Sequence, residues 1–187
     1  MIDVTDSDLR GALTAALNVK RWVDDVASAA PFESTEQLIA VARDAASPLS
    51  PAEIDEAIAH HPRIGEKPVG EGTAQNFSRS EQSSADADNA ELTESIAAGN
   101  IDYEERFGRV FIIRAAGRTR MEILAELIRR ITLDDATELA IVGEQLRDIA
   151  LLRLEKLFPA ASATGTNTDT SADASTGTDT TTPGASA

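Results

Sequence analysis

Helical spacing of the apolar residues is the feature that most constrains the fold of this chain. Up to Phe158, leucine, isoleucine and valine recur three and four positions apart, as in Leu139, Val142, Leu146 and Ile149, which is the period of a helix with one buried face. One run departs from this pattern: residues 110–113 are Val-Phe-Ile-Ile and would suit a buried strand or an extended stretch. Because no comparable second run is present to pair with it, a sheet is not expected. We predict an all-α domain of about six to eight helices.

Local signals predict where several of these helices begin and end. The segment Ser50–Glu53 combines an N-cap serine, a proline at the first helical position and a glutamate at the third. A glycine-rich stretch with a proline, residues 65–76, is predicted to be a loop. The remaining predicted helix starts are a cap at Asp6 or Ser7, a capping box over Ser34–Gln37, and Asp135 with Glu138 at the last long helix.

The composition changes abruptly after Phe158. Residues 159–187 contain no leucine, isoleucine, valine or aromatic residue. Such a segment cannot bury enough apolar surface to offset the entropy lost on ordering. We therefore predict a helical domain over residues 1–158 and a disordered tail over residues 159–187.

Charge and composition argue against several functional classes. A net charge of −15 disfavours nucleic acid and anionic membranes as partners. The absence of cysteine excludes disulfides and thiolate metal ligands, and two histidines without H-E-x-x-H spacing predict no metal site. Neither a signal-peptide pattern at the N-terminus nor an apolar run of membrane-spanning length is found in the sequence. The expectation is a soluble, cytoplasmic protein.

Two adjacent histidines mark the first candidate site. His60 and His61 directly precede Pro62, and a residue before proline is driven out of the α region, so the helix that begins at Pro51 should end at one of them. His61 follows Ile58 by three positions and should lie near the apolar face of that helix. An imidazole there could change charge near neutral pH, or it could simply be solvated in a surface turn.

Glu81 and Arg153 are two further candidate site residues, because each has neighbours that allow either a structural or a functional role. Ser78 and Glu81 are three residues apart, which places both on one helical face or makes them a capping box. Arg153 stands within the apolar run Leu151–Leu154. Its side chain either snorkels to solvent or forms a buried guanidinium that meets the oxygens of a ligand.

Taken in chain order, five short motifs resemble one protein family. They are His61-Pro62-x-Ile64-Gly65, Ser78-x-x-Glu81-Gln82, Asn100-x-x-Tyr103-x-x-x-Phe107-Gly108, Phe111-Ile112-Ile113 and Leu152-Arg153-Leu154. The ordered set resembles the OHCU decarboxylases, which convert 2-oxo-4-hydroxy-4-carboxy-5-ureidoimidazoline (OHCU) to (S)-allantoin in urate breakdown, and it spans Trp22 to Phe158. The sequence departs from the family pattern at Glu66, where many relatives have a second glycine, and at Arg109, within a usually apolar turn.

The resemblance implies an all-helical, cofactor-free and usually homodimeric decarboxylase that acts on a small molecule. It implies His61, Glu81 and Arg153 as catalytic residues, with His61 relaying a proton or binding the substrate hydroxyl and carboxylate, Glu81 near the carboxylate and Arg153 on carbonyl oxygens. The implied substrate-binding residues are Pro62, Ser78, Arg79, Ser80, Gln82, Ile112, Ile113, Arg114 and Ala115. Two alternatives stay open: a non-catalytic helical interaction module, and an enzyme that acts on another ureido compound.

Overall fold

The computed structural model describes residues 1–59, 61–66, 72–81 and 89–160, and none of these residues lies in a β-strand. This confirms the all-α prediction. The helices are α1 Asp6–Ala16, α2 Lys20–Ser28, α3 Thr35–Ala45, α4 Pro51–Ile58, α5 Thr73–Glu81, α6 Ala90–Phe107, α7 Arg120–Ile131 and α8 Asp135–Leu157. None of these helices is long and apolar enough to cross a membrane.

The helices begin with the predicted kinds of N-cap residue. In two helices the N-cap is the residue just before the predicted one. Ser50 and Glu53 form the predicted capping box of α4. The cap of α1 is Thr5 rather than Asp6 or Ser7, and its hydroxyl accepts from the Asp8 N–H at 3.1 Å. The cap of α8 is Asp134 rather than Asp135. Several short polar residues precede each of these two helices, so spacing alone could not select among them.

At α3 the predicted capping box forms only in part. The Ser34 hydroxyl accepts from the Gln37 N–H, whereas the Gln37 side chain accepts from the Glu33 N–H rather than from Ser34. The predicted loop over residues 65–76 was wrong at its end, because α5 already begins at Thr73. Residues 161–187, most of the predicted tail, lie outside the described residues.

The apolar residues form two clusters. Between them lies a segment that is neither helix nor strand, residues 110–115, called the extended segment below. The larger cluster joins α1, α2, α3, α4 and α8 around Trp22, whose indole N–H donates to the Ala42 carbonyl at 2.8 Å. The smaller cluster joins α6 and α7 around Tyr103 and Leu127. Gly108, at φ +67°, ends α6 in a left-handed conformation that a side chain would strain. The segment that follows supplies Ile112 to the larger cluster, and Phe111 and Ile113 to the smaller one.

Candidate active site

A pocket opens where the two apolar clusters meet. It holds about 340 Å³ of empty space, counting its open mouth. Its floor and walls come from the loop after α4, the end of α5, the extended segment and α8. The lining residues are His61, Pro62, Ile64, Glu81, Phe111, Ile112, Ile113, Ala115, Ile149 and Arg153. The three predicted catalytic residues, far apart in sequence, therefore share one pocket.

The position of His61 is fixed by the end of α4. Its backbone N–H donates to the Ile58 carbonyl at 2.9 Å, and its ring Nδ1 lies 3.0 Å from the Ala57 carbonyl oxygen. Since a carbonyl can only accept, Nδ1 carries the hydrogen, and in a neutral ring the lone pair is on Nε2. The Nε2 atom is buried. His60 lies outside the described residues.

Glu81 and Arg153 form a buried, two-point ion pair. Arg153 Nε donates to Glu81 Oε1 and Nη2 donates to Oε2, each at 2.8 Å. Glu81 is 7% exposed and Arg153 4% exposed. The planar fork of the guanidinium matches both carboxylate oxygens, which fixes the orientation of the carboxylate.

This geometry decides two alternatives that the sequence left open. Arg153 does not snorkel, because its side chain is buried; its Nη1 donates to the Ala16 carbonyl at 3.3 Å and its guanidinium lies 5.7 Å from the Phe77 ring centroid. Ser78 is not an N-cap, because it lies inside α5, whose last residue is Glu81. The pair thus joins α5 to α8 and, through Ala16, to the end of α1.

Some of the predicted substrate-binding residues line the pocket and others lie outside it. Pro62, Ile112, Ile113 and Ala115 line the pocket. Arg79 and Ser80 are exposed, and Arg114 is half-buried outside the lining. The side chain of Ser78 and the whole of Gln82 lie outside the described residues. The functional roles of all these residues stay predictions.

Helix α6 holds the loop that carries His61 and Pro62. Arg63 Nε and Nη2 donate to the two carboxylate oxygens of Glu104 at 2.5 and 2.7 Å, and hydrogen bonding to Arg63 lowers the pKa of Glu104. Asn100, which is buried, donates its amide N–H to the Ile64 carbonyl at 2.9 Å. Gly65 has φ +86°, a conformation that favours glycine. The loop is therefore tied to α6 at Arg63 and at Ile64.

The two sequence departures lie outside the pocket lining. Glu66 is exposed and accepts from Arg63 at 3.3 Å. Arg109 pairs with Asp135 at the start of α8, and its guanidinium lies 5.4 Å from the Phe107 ring centroid. Neither side chain contributes a wall of the pocket.

The sequence reasoning did not assign three apolar lining residues to the pocket, although two of them stand in the ordered motifs, and it missed a second buried ion pair. Ile64, Phe111 and Ile149 line the pocket. Arg130 and Glu138 are fully buried and pair with each other. Helical spacing contained a signal for Arg130, which follows the buried Leu127 by three positions and so lies on the same face of α7. Among the described residues, no group of three or more His, Cys, Asp or Glu side chains could hold a metal ion.

An imidazole, a carboxylate and a guanidinium that line one pocket are groups able to bind a small polar molecule and to transfer protons. Comparison with known protein families identifies the family of this chain. The family model described as OHCU decarboxylase matches residues 3–155. The chain therefore belongs to the OHCU decarboxylase family.

Two curated proteins are similar to this chain. The Uric acid degradation bifunctional protein TTL of Arabidopsis thaliana is 38% identical over 107 residues, which cover 55% of this chain and 33% of that protein. The 2-oxo-4-hydroxy-4-carboxy-5-ureidoimidazoline decarboxylase of Haloferax volcanii is 29% identical over 140 residues, which cover 73% of this chain and 81% of that protein. The match thus spans about a third of the plant protein but most of the archaeal one.

Two solved structures share the fold. A crystal structure of OHCU decarboxylase in the presence of (S)-allantoin aligns with a TM-score of 0.65 and 26% identity, over 83% of this chain and 99% of that chain. A crystal structure of (S)-allantoin synthase aligns with a TM-score of 0.59 and 16% identity, over 83% of this chain and 51% of that chain. The latter supports the fold alone.

Proposed function

We propose that this protein decarboxylates OHCU to (S)-allantoin. The observation that carries the proposal is the buried Glu81–Arg153 pair, which lines one pocket with His61 in a chain whose family match runs through residues 3–155. A charged pair is costly to bury and adds little stability over apolar packing. Its placement beside an imidazole is better explained by chemistry in the pocket than by a purely structural role.

The substrate itself supplies the driving chemistry. Its carboxylate is attached to a carbon next to a C=N bond. When the C–C bond breaks and CO2 leaves, the released electron pair forms a C=C bond between these two carbons. The π electrons of the C=N bond move to its nitrogen, which takes up a proton. The hydroxyl on the same carbon then loses its proton and becomes the carbonyl of allantoin, while the neighbouring carbon gains a proton and becomes the stereocentre. The reaction needs an electron sink that the substrate already contains, so we propose a cofactor-free reaction.

The pocket residues would accelerate these steps in distinct ways. The apolar walls formed by Ile64, Phe111 and Ile149 would remove water from the carboxylate, which favours dispersal of its charge as CO2 leaves. His61 would accept the hydroxyl proton at Nε2 and return a proton to carbon, a role worth about 10²–10⁴-fold in rate. Proton delivery from a fixed side would give one enantiomer.

The observed pairing changes the roles expected for Glu81 and Arg153. Because the Nε and Nη2 edge of Arg153 is already bound to Glu81, we propose that Arg153 acts chiefly by orienting the Glu81 carboxylate toward the substrate. Repulsion between Glu81 and the substrate carboxylate is weakened by the same pairing, since the guanidinium compensates the charge. Glu81 would instead accept a hydrogen bond from a substrate N–H or O–H.

The test is to generate the substrate in place by enzymatic oxidation of urate and to follow the circular dichroism of allantoin. Catalysis by this protein should produce (S)-allantoin faster than the spontaneous reaction does. Racemic product at the spontaneous rate would reject the proposal. An enzyme that hydrolyses another ureido compound would release ammonia or urea from that compound without accelerating the formation of (S)-allantoin, and an interaction module would do neither.

We also propose that the protein is a cytoplasmic homodimer. Ile101 on α6, and Met121 and Ile128 on α7, are each at least 60% exposed although large and apolar, and a second copy could cover them. Size measurement by light scattering should give twice the chain mass, and Ile128→Lys should shift it toward the monomer. A monomeric mass for the unsubstituted protein would contradict the dimer.

A further inference from the structure

A second buried charge network lies behind the extended wall of the pocket. Arg130 and Glu138 are each fully buried, and Arg130 Nε donates to both Glu138 carboxylate oxygens at 3.0 Å. Tyr103, also fully buried, donates its hydroxyl to Glu138. Burial, together with this hydrogen bond, raises the pKa of Tyr103, which keeps the hydroxyl protonated. The network therefore holds Arg130 in a fixed position between α6, α7 and α8.

One nitrogen of the Arg130 guanidinium contacts the pocket wall instead of Glu138. Its Nη1 donates to the Ile112 carbonyl at 2.8 Å, and its guanidinium lies 4.6 Å from the Phe111 ring centroid. The peptide bond between Ile112 and Ile113 is trans, so its C=O and N–H groups point in opposite directions. The Ile113 N–H therefore points away from Arg130.

The next peptide unit is held from the other side. The Arg114 N–H donates to the Gln145 side-chain oxygen at 2.9 Å, from α8. Within the described part of the chain, the Ile113 N–H has no hydrogen-bond acceptor, although both Ile112 and Ile113 line the pocket. Two side chains thus fix the peptide units on both sides of Ile113, whose own N–H has no acceptor among the described residues.

We propose that Arg130 is a positioning residue for the reaction, because its contact with the Ile112 carbonyl holds the Ile113 N–H toward a substrate oxygen. This inference rests on the proposed decarboxylation. It differs from a purely structural role, since a buried ion pair by itself adds little stability compared with apolar packing. Within the network, the contact between Arg130 and the Ile112 carbonyl is the one that would affect a bound substrate.

The test compares two substitutions in the same network. Arg130→Lys keeps a positive charge beside Glu138 but cannot also reach the Ile112 carbonyl with a planar fork. Tyr103→Phe, the matched control, removes a hydrogen bond to Glu138 but keeps the ring that packs against Phe111 in the wall. We expect Arg130→Lys to raise KM about tenfold, with kcat changed by no more than about threefold. Tyr103→Phe should lower Tm and leave KM within about twofold.

A second measurement does not depend on turnover. In the ligand-free protein, the Ile113 amide resonance in a ¹H–¹⁵N spectrum should move in Arg130→Lys and stay in place in Tyr103→Phe. A folded Arg130→Lys variant with unchanged KM and an unmoved Ile113 resonance would overturn the inference, as would an equal rise of KM in both variants. Absence of decarboxylation by the unsubstituted protein would instead reject the proposed function, while the resonance would still report on Arg130.

If Arg130→Lys does not fold, a charge-free variant decides the question. The triple change Arg130→Met, Glu138→Leu and Tyr103→Phe replaces the whole network by apolar groups, which proteins often tolerate well. We expect it to fold and to show the tenfold rise in KM. A folded triple variant with the original KM would show that the wall does not need Arg130.

Discussion

Replacing Glu81 by Gln tests the buried pair with almost no change of shape. In the protein, each oxygen of the Glu81 carboxylate accepts one hydrogen bond from Arg153, at 2.8 Å. Glutamine has one oxygen and one NH2 group. One of the two hydrogen bonds is therefore replaced by two donors that face each other, and the guanidinium loses its compensating charge in a buried site.

The expected loss can be worked from this geometry. One hydrogen bond to a charged group contributes about 2 kcal/mol to the free energy of unfolding. In a domain of this size, that loss lowers Tm by about 4–8 °C. If Glu81 contacts the substrate, turnover should also fall by about 100-fold or more. Thermal melts and the circular-dichroism assay on the same preparation give both values.

Glu126→Gln is the matched control. Glu126 accepts from Arg129 Nε and Nη2 at 2.9 and 2.6 Å, the same two-point geometry, on the exposed face of α7. An exposed pair contributes only about 0–1 kcal/mol, so Tm and turnover should barely change. If Glu81→Gln lowers Tm but leaves turnover at the level of the control, the pair is structural and Glu81 does not take part in the reaction.

Three further predictions concern other parts of the chain. His61→Asn should lower turnover about 100-fold or more, whereas His60→Ala should stay within a few-fold; equal losses in the allantoin assay would mean that the site is misassigned. A hydrogen bond from Arg21 lowers the pKa of Glu53 from 4.5 to about 2, so the stability it adds is present above pH 4.5 and is lost as the pH falls toward 2. Between pH 4.5 and 2, the Tm of Glu53→Gln should therefore fall less steeply than that of the unsubstituted protein. Equal slopes of Tm against pH would contradict this. Truncation after Phe158 should leave Tm and activity unchanged; a large drop in Tm would show that the tail packs on the domain.

Local chemistry explains why much of the fold could be predicted. The cap at Ser50 and the apolar spacing of α8 are set by residues close together in sequence, and such signals appear in any single chain. The start of α5 could not be found in this way, because residues 73–76 contain neither an apolar stripe nor a strong cap. In α7 the apolar residues also recur at helical spacing, yet Met121 and Ile128 are exposed, so spacing alone does not tell which apolar residues are buried.

The candidate site was predicted less completely for a different reason. His61, Glu81 and Arg153 were identified by the ordered motifs, but the pairing of Glu81 with Arg153 joins positions 72 residues apart. The same holds for Arg130 and its contact with Ile112. Spacing along the chain carries no information about such contacts, because they arise only when the helices pack.

The most direct measurement of the central claim is the fate of the substrate carboxylate. Urate labelled with ¹³C at the carbon that becomes this carboxylate can be oxidised in the NMR tube, and the label followed from substrate to CO2 and bicarbonate. With catalytic amounts of this protein, the carboxylate signal should disappear faster than it does spontaneously, and His61→Asn should restore the spontaneous rate. Decay at the spontaneous rate with the unsubstituted protein would contradict the claim.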